Sequence, residues 1–502
     1  MSELLRGGRL SGFKREIIEF TSSIKHDTRI IKHIVSINKA HSIMLMENRI
    51  IRAEEGSKIL GALIDLENKL ILRPDIEDAH MLVEEEVIRR VGMEIGGNLN
   101  LAKSRNDQVA TAIRMALREE LIGIMELIIS LQEALLSLAE KNMESIIPGY
   151  THLQPAQPTT LAHYLLAQFD IFGRSLNRLL DAYNRVNLCP MGAGALATTS
   201  FPISRERVAE LLGFSGIVEN SIDAVSSRDF LLESLAALSI MAVDVSRLAE
   251  DLILWASMEF GLIDLPDEYT STSSIMPQKK NPEVLEVMRA RAGSIIGDFM
   301  AASAILKGLP STYNLDFQEA TPKLWDACDI MRKSLEILSD LIQNIRVKAE
   351  AIKKPALSFL TATELANILT RKYGVPFRLS HRIVGALVKT LIDDGKTLSD
   401  ATPDMLAKIT MEVLGTPIYI PDEELRRAIN PTCFVESHNA RGGPSKGEVE
   451  RMISARRDLL NKHRDFVSSL RRHVEKALNT LNEISRQYAA QALYSNSQYH
   501  KV

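Results

Sequence analysis

The sequence predicts an all-α fold in which a long central helical bundle carries smaller helical domains at both ends. Three observations support this prediction. Long segments place apolar residues at helical spacing, sustained strand-like alternation is almost absent, and clusters of proline and glycine separate the helical segments. The apolar fraction of 45% is sufficient for a large buried core.

Five segments carry the strongest helical pattern and are expected to form the bundle. Each is apolar around most of its circumference, and a helix of that kind is buried on most sides. Several of them are more apolar than one chain is expected to cover, so we expect the protein to associate with copies of itself. A self-sufficient monomeric core is the alternative interpretation. The predicted helices cover residues 107–141, 159–186, 226–260, 283–306 and 322–349.

Shorter helical patterns flank the bundle, so the sequence divides into three predicted domains. Residues 1–106 are expected to form a mostly helical N-terminal domain. Residues 107–356 would form the central bundle, which also carries the oligomerisation core, and residues 357–502 a small helical C-terminal domain. A chain of 502 residues is long enough for two or three such units.

Charge and cysteine content exclude several classes of protein. The 60 Lys and Arg residues nearly balance the 64 Asp and Glu residues, so the basic footprint of a nucleic-acid-binding protein is missing. Cys189, Cys328 and Cys433 lie far apart and predict neither a disulfide framework nor a zinc site. The chain begins without a hydrophobic signal region, and its longest uncharged apolar stretch, residues 234–243, is too short to span a bilayer. We therefore expect a cytoplasmic protein that binds neither membrane nor nucleic acid and needs no metal or other cofactor.

The segment from Thr272 to Pro282 combines two serines, two lysines and an asparagine directly in front of the predicted helix 283–306. It reads Thr-Ser-Ser-Ile-Met-Pro-Gln-Lys-Lys-Asn-Pro. Asn281 is a favourable N-cap, and Pro282 is a favourable first helical residue. The positive end of a helix beside two lysines suits a substrate with two carboxylates. A solvated polar loop is the alternative interpretation.

Two further polar clusters precede predicted helices. Residues 104–108 read Ser-Arg-Asn-Asp-Gln, and residues 149–154 read Gly-Tyr-Thr-His-Leu-Gln. Each cluster alone is typical of a helix cap or a turn. Together with the loop at residues 272–282, they predict an anion-binding site that is assembled from distant parts of the chain.

These three clusters closely resemble the motifs of the argininosuccinate lyases, a family of the fumarase/aspartase superfamily. The resemblance covers nearly the whole chain. It extends to six further elements, at residues 7–9, 22–27, 78–80, 192–196, 313–314 and 318–319, of which residues 192–196 match a structural turn of the family. It implies a homotetramer in which the active sites are shared between subunits, and an enzyme without a cofactor.

The resemblance also implies the reaction, a reversible β-elimination that splits L-argininosuccinate into L-arginine and fumarate in arginine biosynthesis. Ser273 matches the base that removes the carbon-bound proton, and His152, oriented by Glu286, matches the proton donor or relay. Lys279 and Thr151 complete the implied catalytic set. The implied substrate-binding residues are Ser23, Asp27, His80, Arg105, Asn106, Asn281, Tyr313 and Gln318.

Several positions depart from the family pattern. Thr272 stands where the family usually has glycine, and residues 100–103 read Asn-Leu-Ala-Lys where it often has His-Thr-Gly-Arg. Leu315 and Thr321 replace lysines, one of which contacts a substrate carboxylate in the family. The lost positive charge is expected to weaken the binding of a dianion.

These departures leave two alternatives open. The protein could act on another succinyl adduct, such as adenylosuccinate, or it could form a non-catalytic helical tetramer, as do some lens crystallins that resemble this family. Lys103 and Lys323 are candidates to replace the missing positive charge.

Overall fold

The computed structural model describes residues 14–67, 69–73, 76–348, 350, 352, 354 and 357–499. Within these residues the protein is built almost entirely from α-helices, with a few short strands, which confirms the predicted fold class. The element at residues 7–9 that contributes to the family resemblance lies outside the described residues.

In the N-terminal part, the described residues form five α-helices: α1 (Arg15–Thr21), α2 (Ile31–Glu47), α3 (Ala53–Leu66), α4 (Ala79–Val91) and α5 (Met93–Gly96). Helix α2 is buried along most of its length. Helix α4 begins at Asp78, whose carboxylate accepts a hydrogen bond from the backbone N–H of Met81 at 2.7 Å. This cap fixes the position of His80 in the first turn of α4.

The central part contains seven helices: α6 (Arg105–Lys141), α7 (Leu161–Val186), α8 (Arg205–Leu211), α9 (Ser221–Ser226), α10 (Asp229–Ala256), α11 (Glu283–Leu306) and α12 (Phe317–Asn344). The five long ones are the helices that the sequence predicts. Helix α6 packs against α7 and α12, while α10 packs against α7, α11 and α12. Their apolar faces meet in one continuous core.

Two of the long helices differ at their ends from the prediction. Helix α12 begins at Phe317, five residues before the predicted start, because Phe317 and Ala320 are buried and extend its apolar face. Pro322 therefore lies inside this helix. The prediction that Asn281 caps α11 is wrong, since Asn281 pairs with Ser271 as part of a strand and Pro282 occupies the cap position.

Six short strands pair in antiparallel twos, β1 with β2, β3 with β6 and β4 with β5. They are β1 (Ile146–Thr151), β2 (Gln154–Thr160), β3 (Ile263–Asp264), β4 (Ser271–Thr272), β5 (Lys280–Asn281) and β6 (Arg346–Val347). The sequence did not predict the β1–β2 hairpin, because its three prolines interrupt the alternation that identifies a strand.

The C-terminal part contains five short helices and one very long one: α13 (Ala362–Tyr373), α14 (Phe377–Asp393), α15 (Pro403–Leu414), α16 (Asp422–Ile429), α17 (Pro431–Ser437) and α18 (Lys446–Tyr499). Helices α13 to α16 enclose a separate apolar cluster. Helix α18 instead packs against α3 and α6 and contributes to the main core. The predicted domain limits stay a prediction, and the apolar clusters indicate that α18 groups with the bundle.

Helix α6 is long and apolar enough to cross a membrane by length and composition alone. No stretch of this kind was expected from the sequence. However, 61% of its most apolar 18-residue window is buried inside the molecule, which is the position of a core helix. Core helices of soluble proteins pass the same test, so this helix is weak support for a membrane span.

Candidate active site

A cavity of about 180 Å³ lies where the segment before α2, the first turns of α4 and α6, and the start of α12 come together. Residues from all four of these elements line it. They include seven of the eight predicted substrate-binding residues, namely Ser23, Asp27, His80, Arg105, Asn106, Tyr313 and Gln318. The structure therefore brings together side chains that lie as much as 295 residues apart in the sequence.

The N-terminus of α6 is held in place by a capping box. The Ser104 hydroxyl accepts a hydrogen bond from the N–H of Asn106 at 3.3 Å, and the Asp107 carboxylate accepts one from the N–H of Ser104 at 3.0 Å. The second oxygen of Asp107 accepts hydrogen bonds from Gly192 and Gly194. The turn that contains Gly192 and Gly194 thus supports α6 structurally. Arg105 and Asn106 line the cavity from the first turn of α6.

Arg105 combines one occupied and one free end of its guanidinium. Its Nη1 donates to the Asp78 carboxylate at 2.8 Å, while Nη2 is buried without a hydrogen-bond partner among the described residues. A buried donor without a partner is costly. Arg105 is therefore ready to donate to an anion that enters the cavity, such as a carboxylate.

Asp27 places a buried carboxylate in the same cavity as the Arg105 guanidinium. Its Oδ2 accepts hydrogen bonds from the Ala79 N–H at 2.9 Å and from the Ser23 hydroxyl at 3.1 Å. Burial nevertheless raises the pKa of Asp27 to about 6, and neighbouring Asp78 adds to this rise. The cavity therefore contains both an anion-binding guanidinium and a carboxylate suited to a cation.

The first turn of α12 completes the cavity wall. Gln318 donates from Nε2 to the carbonyl oxygen of Thr21 at 3.0 Å. Burial raises the pKa of Tyr313, so this phenol stays protonated at neutral pH. Thr321, which replaces a family lysine, donates from its hydroxyl to the Phe317 carbonyl at 3.0 Å and brings no charge.

The two lysines considered as replacements do not take over this role. Lys103 donates to the Asn38 side chain instead, and burial lowers its pKa to about 7. Neither Lys103 nor Lys323 belongs to the residues that line the cavity. Of the cations predicted from the sequence, Arg105 is the one that the structure places in the wall.

The loop at residues 272–282, here called the serine loop, is a short hairpin whose base is the β4–β5 pair. Lys280 fixes this base through ion pairs with Asp264 at 3.3 Å and Asp267 at 2.8 Å. The Ser273 hydroxyl oxygen accepts hydrogen bonds from the N–H groups of Ile275 at 3.3 Å and Met276 at 3.2 Å. Two such donors stabilise negative charge on the Ser273 oxygen.

Lys279, Asn281 and Glu286 line a second cavity, of about 330 Å³, at the base of the serine loop. Lys279 and Glu286 are exposed to solvent, and Asn281 is half-buried. The Asn281 side chain donates to the Ser271 hydroxyl at 3.4 Å. Asn281 is thus the one predicted substrate-binding residue that lies away from the first cavity.

Thr151 and His152 lie at the tip of the β1–β2 hairpin, exposed to solvent. His152 and Leu153 have positive φ angles of 56° and 57°, a conformation that normally favours glycine or asparagine. Tyr150 anchors the hairpin by packing against Phe260, with ring centroids 5.1 Å apart. Glu286, the predicted partner of His152, lines the second cavity, whereas His152 itself does not.

The predicted catalytic and substrate-binding residues do not line one common cavity. The first cavity holds most of the predicted binding residues but none of the five predicted catalytic residues, which are Ser273, His152, Lys279, Glu286 and Thr151. Two supporting residues were not predicted from the sequence. They are Asp78, which accepts a hydrogen bond from Arg105, and Gln108, whose side-chain oxygen is hydrogen-bonded to His80. Both lie within the motifs at residues 78–80 and 104–108, and their place in these motifs could have identified them.

Comparisons with known proteins identify the family of the chain. The model of the lyase family matches residues 16–297, and that of the argininosuccinate lyase C-terminal region matches residues 359–436. The argininosuccinate lyase of Methanosarcina acetivorans is 40% identical over 492 residues, which is 97% of this chain and 99% of that protein. The argininosuccinate lyase of Methanothrix thermoacetophila is 43% identical over 483 residues, with 96% and 98% coverage.

Solved structures show the same fold. An EDDS lyase in complex with formate superimposes with a TM-score of 0.86 at 28% identity and covers 96% of this chain and 97% of its own. A class II fumarase from Schistosoma mansoni gives a TM-score of 0.68 at 18% identity, with 80% and 90% coverage, and shows the fold alone. From the sequence relatives and family models, the chain belongs to the argininosuccinate lyases, carbon–nitrogen lyases of the fumarase/aspartase superfamily.

Proposed function

We propose that this protein cleaves L-argininosuccinate to L-arginine and fumarate by a reversible β-elimination, in the synthesis of arginine. The observation that carries the proposal is the first cavity, in which a free guanidinium nitrogen of Arg105 lies with the buried carboxylate of Asp27. Argininosuccinate carries both carboxylates and a cationic guanidino end. A cavity with one unsatisfied donor and one carboxylate complements both kinds of group.

The reaction removes a proton from carbon beside a carboxylate and then expels a guanidino nitrogen. Charge moves into that carboxylate as the C–H bond breaks, so cations and amides aimed at its oxygens lower the barrier. We assign this role to Lys279 and Asn281, which share the second cavity. The C–N bond then breaks, and its electron pair leaves with the nitrogen.

Ser273 is the proposed base. A serine hydroxyl is a weak acid, so its alkoxide must be stabilised. The two backbone N–H groups that donate to the Ser273 oxygen supply part of this stabilisation. Lys279, in the same loop, is proposed to add positive charge. His152, oriented by Glu286, would protonate the departing nitrogen or relay its proton, with Thr151 holding the substrate beside it.

This assignment requires more than one chain. Because neither the β1–β2 hairpin nor the serine loop contributes a residue to the first cavity, we propose a homotetramer in which each active site takes these parts from different subunits. Three separate cysteines without a disulfide, Cys189, Cys328 and Cys433, fit a reducing cytoplasm, where we place the protein.

The direct test is fumarate release from argininosuccinate, followed by ultraviolet absorbance, with the wild type and Ser273→Ala side by side. We expect release by the wild type and a loss of about 10²-fold or more in the variant, the range for a positioned base. Equal rates in both proteins would exclude Ser273 as the base. No release from folded, tetrameric wild type would exclude the substrate.

A second candidate function keeps the chemistry and changes the amine. The uncharged side chains of Leu315 and Thr321 in the cavity wall favour it, because they replace family lysines. Adenylosuccinate assayed beside argininosuccinate separates the two candidates by the ratio of their kcat/KM values.

A further inference from the structure

His80 is a cavity residue with one ring nitrogen bound and the other free. It is 5% exposed and lies in the wall of the first cavity. Its Nδ1 lies 2.9 Å from Oε1 of Gln108, whereas its Nε2 is buried without a hydrogen-bond partner among the described residues. A histidine with a purely structural role normally has its buried nitrogens satisfied. The free Nε2 of His80 therefore points to a ligand.

The orientation of Gln108 decides which nitrogen of His80 carries the proton. The side-chain N–H of Gln108 donates to Oδ1 of Asn100 at 3.2 Å, so its amide oxygen faces His80. An amide oxygen can only accept, and Nδ1 of His80 must therefore be the donor. In the neutral ring this leaves a lone pair on Nε2.

The ring is neutral under physiological conditions. Burial lowers the pKa of His80 to about 4. Asp78 and the hydrogen bond to Gln108 oppose this shift, while Arg105 and Lys103 add to it. Nε2 is therefore an acceptor throughout the neutral range. A substrate carboxylate oxygen would meet a lone pair at this point, whereas an N–H group would find a partner.

Asn100 is itself firmly held. It ends a 3-10 helix, Gly97–Asn100, and the next carbonyl, that of Leu101, accepts a hydrogen bond from Nε2 of His41 at 2.8 Å. Lys103 is tied to Asn38 of the same buried helix α2. The segment that carries Asn100 is thus fixed to the core at two points.

We infer that Asn100 and Gln108 are positioning residues that hold His80 in the tautomer with a free Nε2, and that Nε2 accepts a hydrogen bond from an N–H of the amine half of the substrate. The inference rests on the proposed function for the identity of that amine half, an ammonium or guanidinium group. It gives a role to Asn100, one of the departures from the family pattern, and to Gln108, to which the sequence analysis assigned none. It also makes this corner of the cavity selective for hydrogen-bond donors.

The tautomer can be observed directly by nitrogen NMR of protein labelled with ¹⁵N-histidine. The His80 signals are identified by their loss in His80→Asn. We expect the wild type and Asn100→Asp, which keeps an acceptor, to show a protonated Nδ1 and an unprotonated Nε2. Asn100→Leu removes the acceptor and should give a mixture of tautomers. Asn98→Leu, the same change two residues earlier in the same 3-10 helix, should behave as the wild type.

Binding of the two proposed products to the assembled enzyme tests the second half of the inference. Asn100→Leu should weaken L-arginine binding about tenfold, as expected for one hydrogen bond to a charged group, and change fumarate binding little. A protonated Nε2 in the wild type would overturn the inference, as would Asn100→Leu with unchanged tautomer and arginine affinity. If both readouts agree with expectation while argininosuccinate is not cleaved, the inference stands and the proposed function fails.

Discussion

At the scale of single residues, the buried carboxylate of Asp27 shows how the cavity is prepared for a cation. Two hydrogen bonds favour its charged form, yet burial outweighs them and raises its pKa to about 6. The carboxylate is charged at neutral pH, but its charge is poorly compensated until a cation binds. Such a residue serves binding at a cost in stability.

Asp27→Asn is therefore expected to stabilise the fold at neutral pH. The native carboxyl, with a pKa near 6, holds its proton more tightly than the unfolded one, with a pKa of 3.8. Wild-type stability therefore falls as pH rises from about 4 to 6, by about 3 kcal/mol at most, and Asn lacks this loss. Urea unfolding between pH 4 and 7 checks this.

The informative quantity is the free energy of unfolding of Asp27→Asn minus that of the wild type. It should grow with pH up to about 6 and then level off. Other titrating groups, such as Asp107 with its own raised pKa, are present in both proteins and cancel. A difference that does not change with pH would contradict the account. The same variant should also bind substrate more weakly.

The sequence could predict which residues enter the cavity but not how they support one another. Arg105 and His80 were recognisable because each belongs to a motif of consecutive residues. Their partners were not, because Asp78 lies 27 residues before Arg105 and Gln108 lies 28 residues after His80. The fold makes these contacts by bringing the N-terminal ends of α4 and α6 together.

At the scale of elements, the N-terminus of α6 is the part that positions the anion-binding residues. Ser104→Ala removes the cap and should lower stability by about 1 kcal/mol. Because Arg105 and Asn106 follow directly, we also expect a higher KM. Chemical denaturation and steady-state kinetics measure the two effects.

Ser204→Ala is the matched control for this prediction. Ser204 caps α8 in the same way, with its hydroxyl accepting from the N–H of Arg207 at 3.1 Å, and it does not line the first cavity. It should lose comparable stability with an unchanged KM. An unchanged KM in Ser104→Ala, or an equal rise in both variants, would argue against a special role for the α6 cap.

The elements also show where sequence patterns stop being informative. The long helices were predictable because burial on most sides leaves a dense apolar pattern. The β1–β2 hairpin was not, since Pro148, Pro155 and Pro158 hide it and its turn places His152 and Leu153 in a left-handed conformation. Residues that break local rules in this way often belong to functional sites.

At the scale of the whole molecule, the long helices leave apolar side chains uncovered. Ile240 and Val243 on α10 are each 45% exposed, and Val287 and Met300 on α11 are 48% and 65% exposed. Uncovered apolar residues on the central helices of a bundle favour association with further copies. This agrees with the proposal that the site is completed by other subunits.

Ile240→Glu should therefore disrupt assembly while leaving each chain folded, because a charge on this face would be buried in the tetramer. We expect a smaller species in sedimentation velocity and a large loss of fumarate release. The control is Phe466→Glu, the same kind of change at a residue of α18 that is 52% exposed. This variant should keep both the tetramer and the fumarate release. An active monomer of Ile240→Glu would refute the shared site.

In the proposed tetramer, the serine loop and the β1–β2 hairpin of one active site come from different subunits. The most direct measurement is fumarate release by hybrids of Ser273→Ala and His152→Asn, formed by co-expressing the two inactive variants. If the subunits assort randomly, about a quarter of the sites receive both intact residues, and about a quarter of wild-type activity should return. If both residues came from the same chain, every site would lack one of them. Hybrids as inactive as the parent variants would therefore exclude an active site shared between subunits.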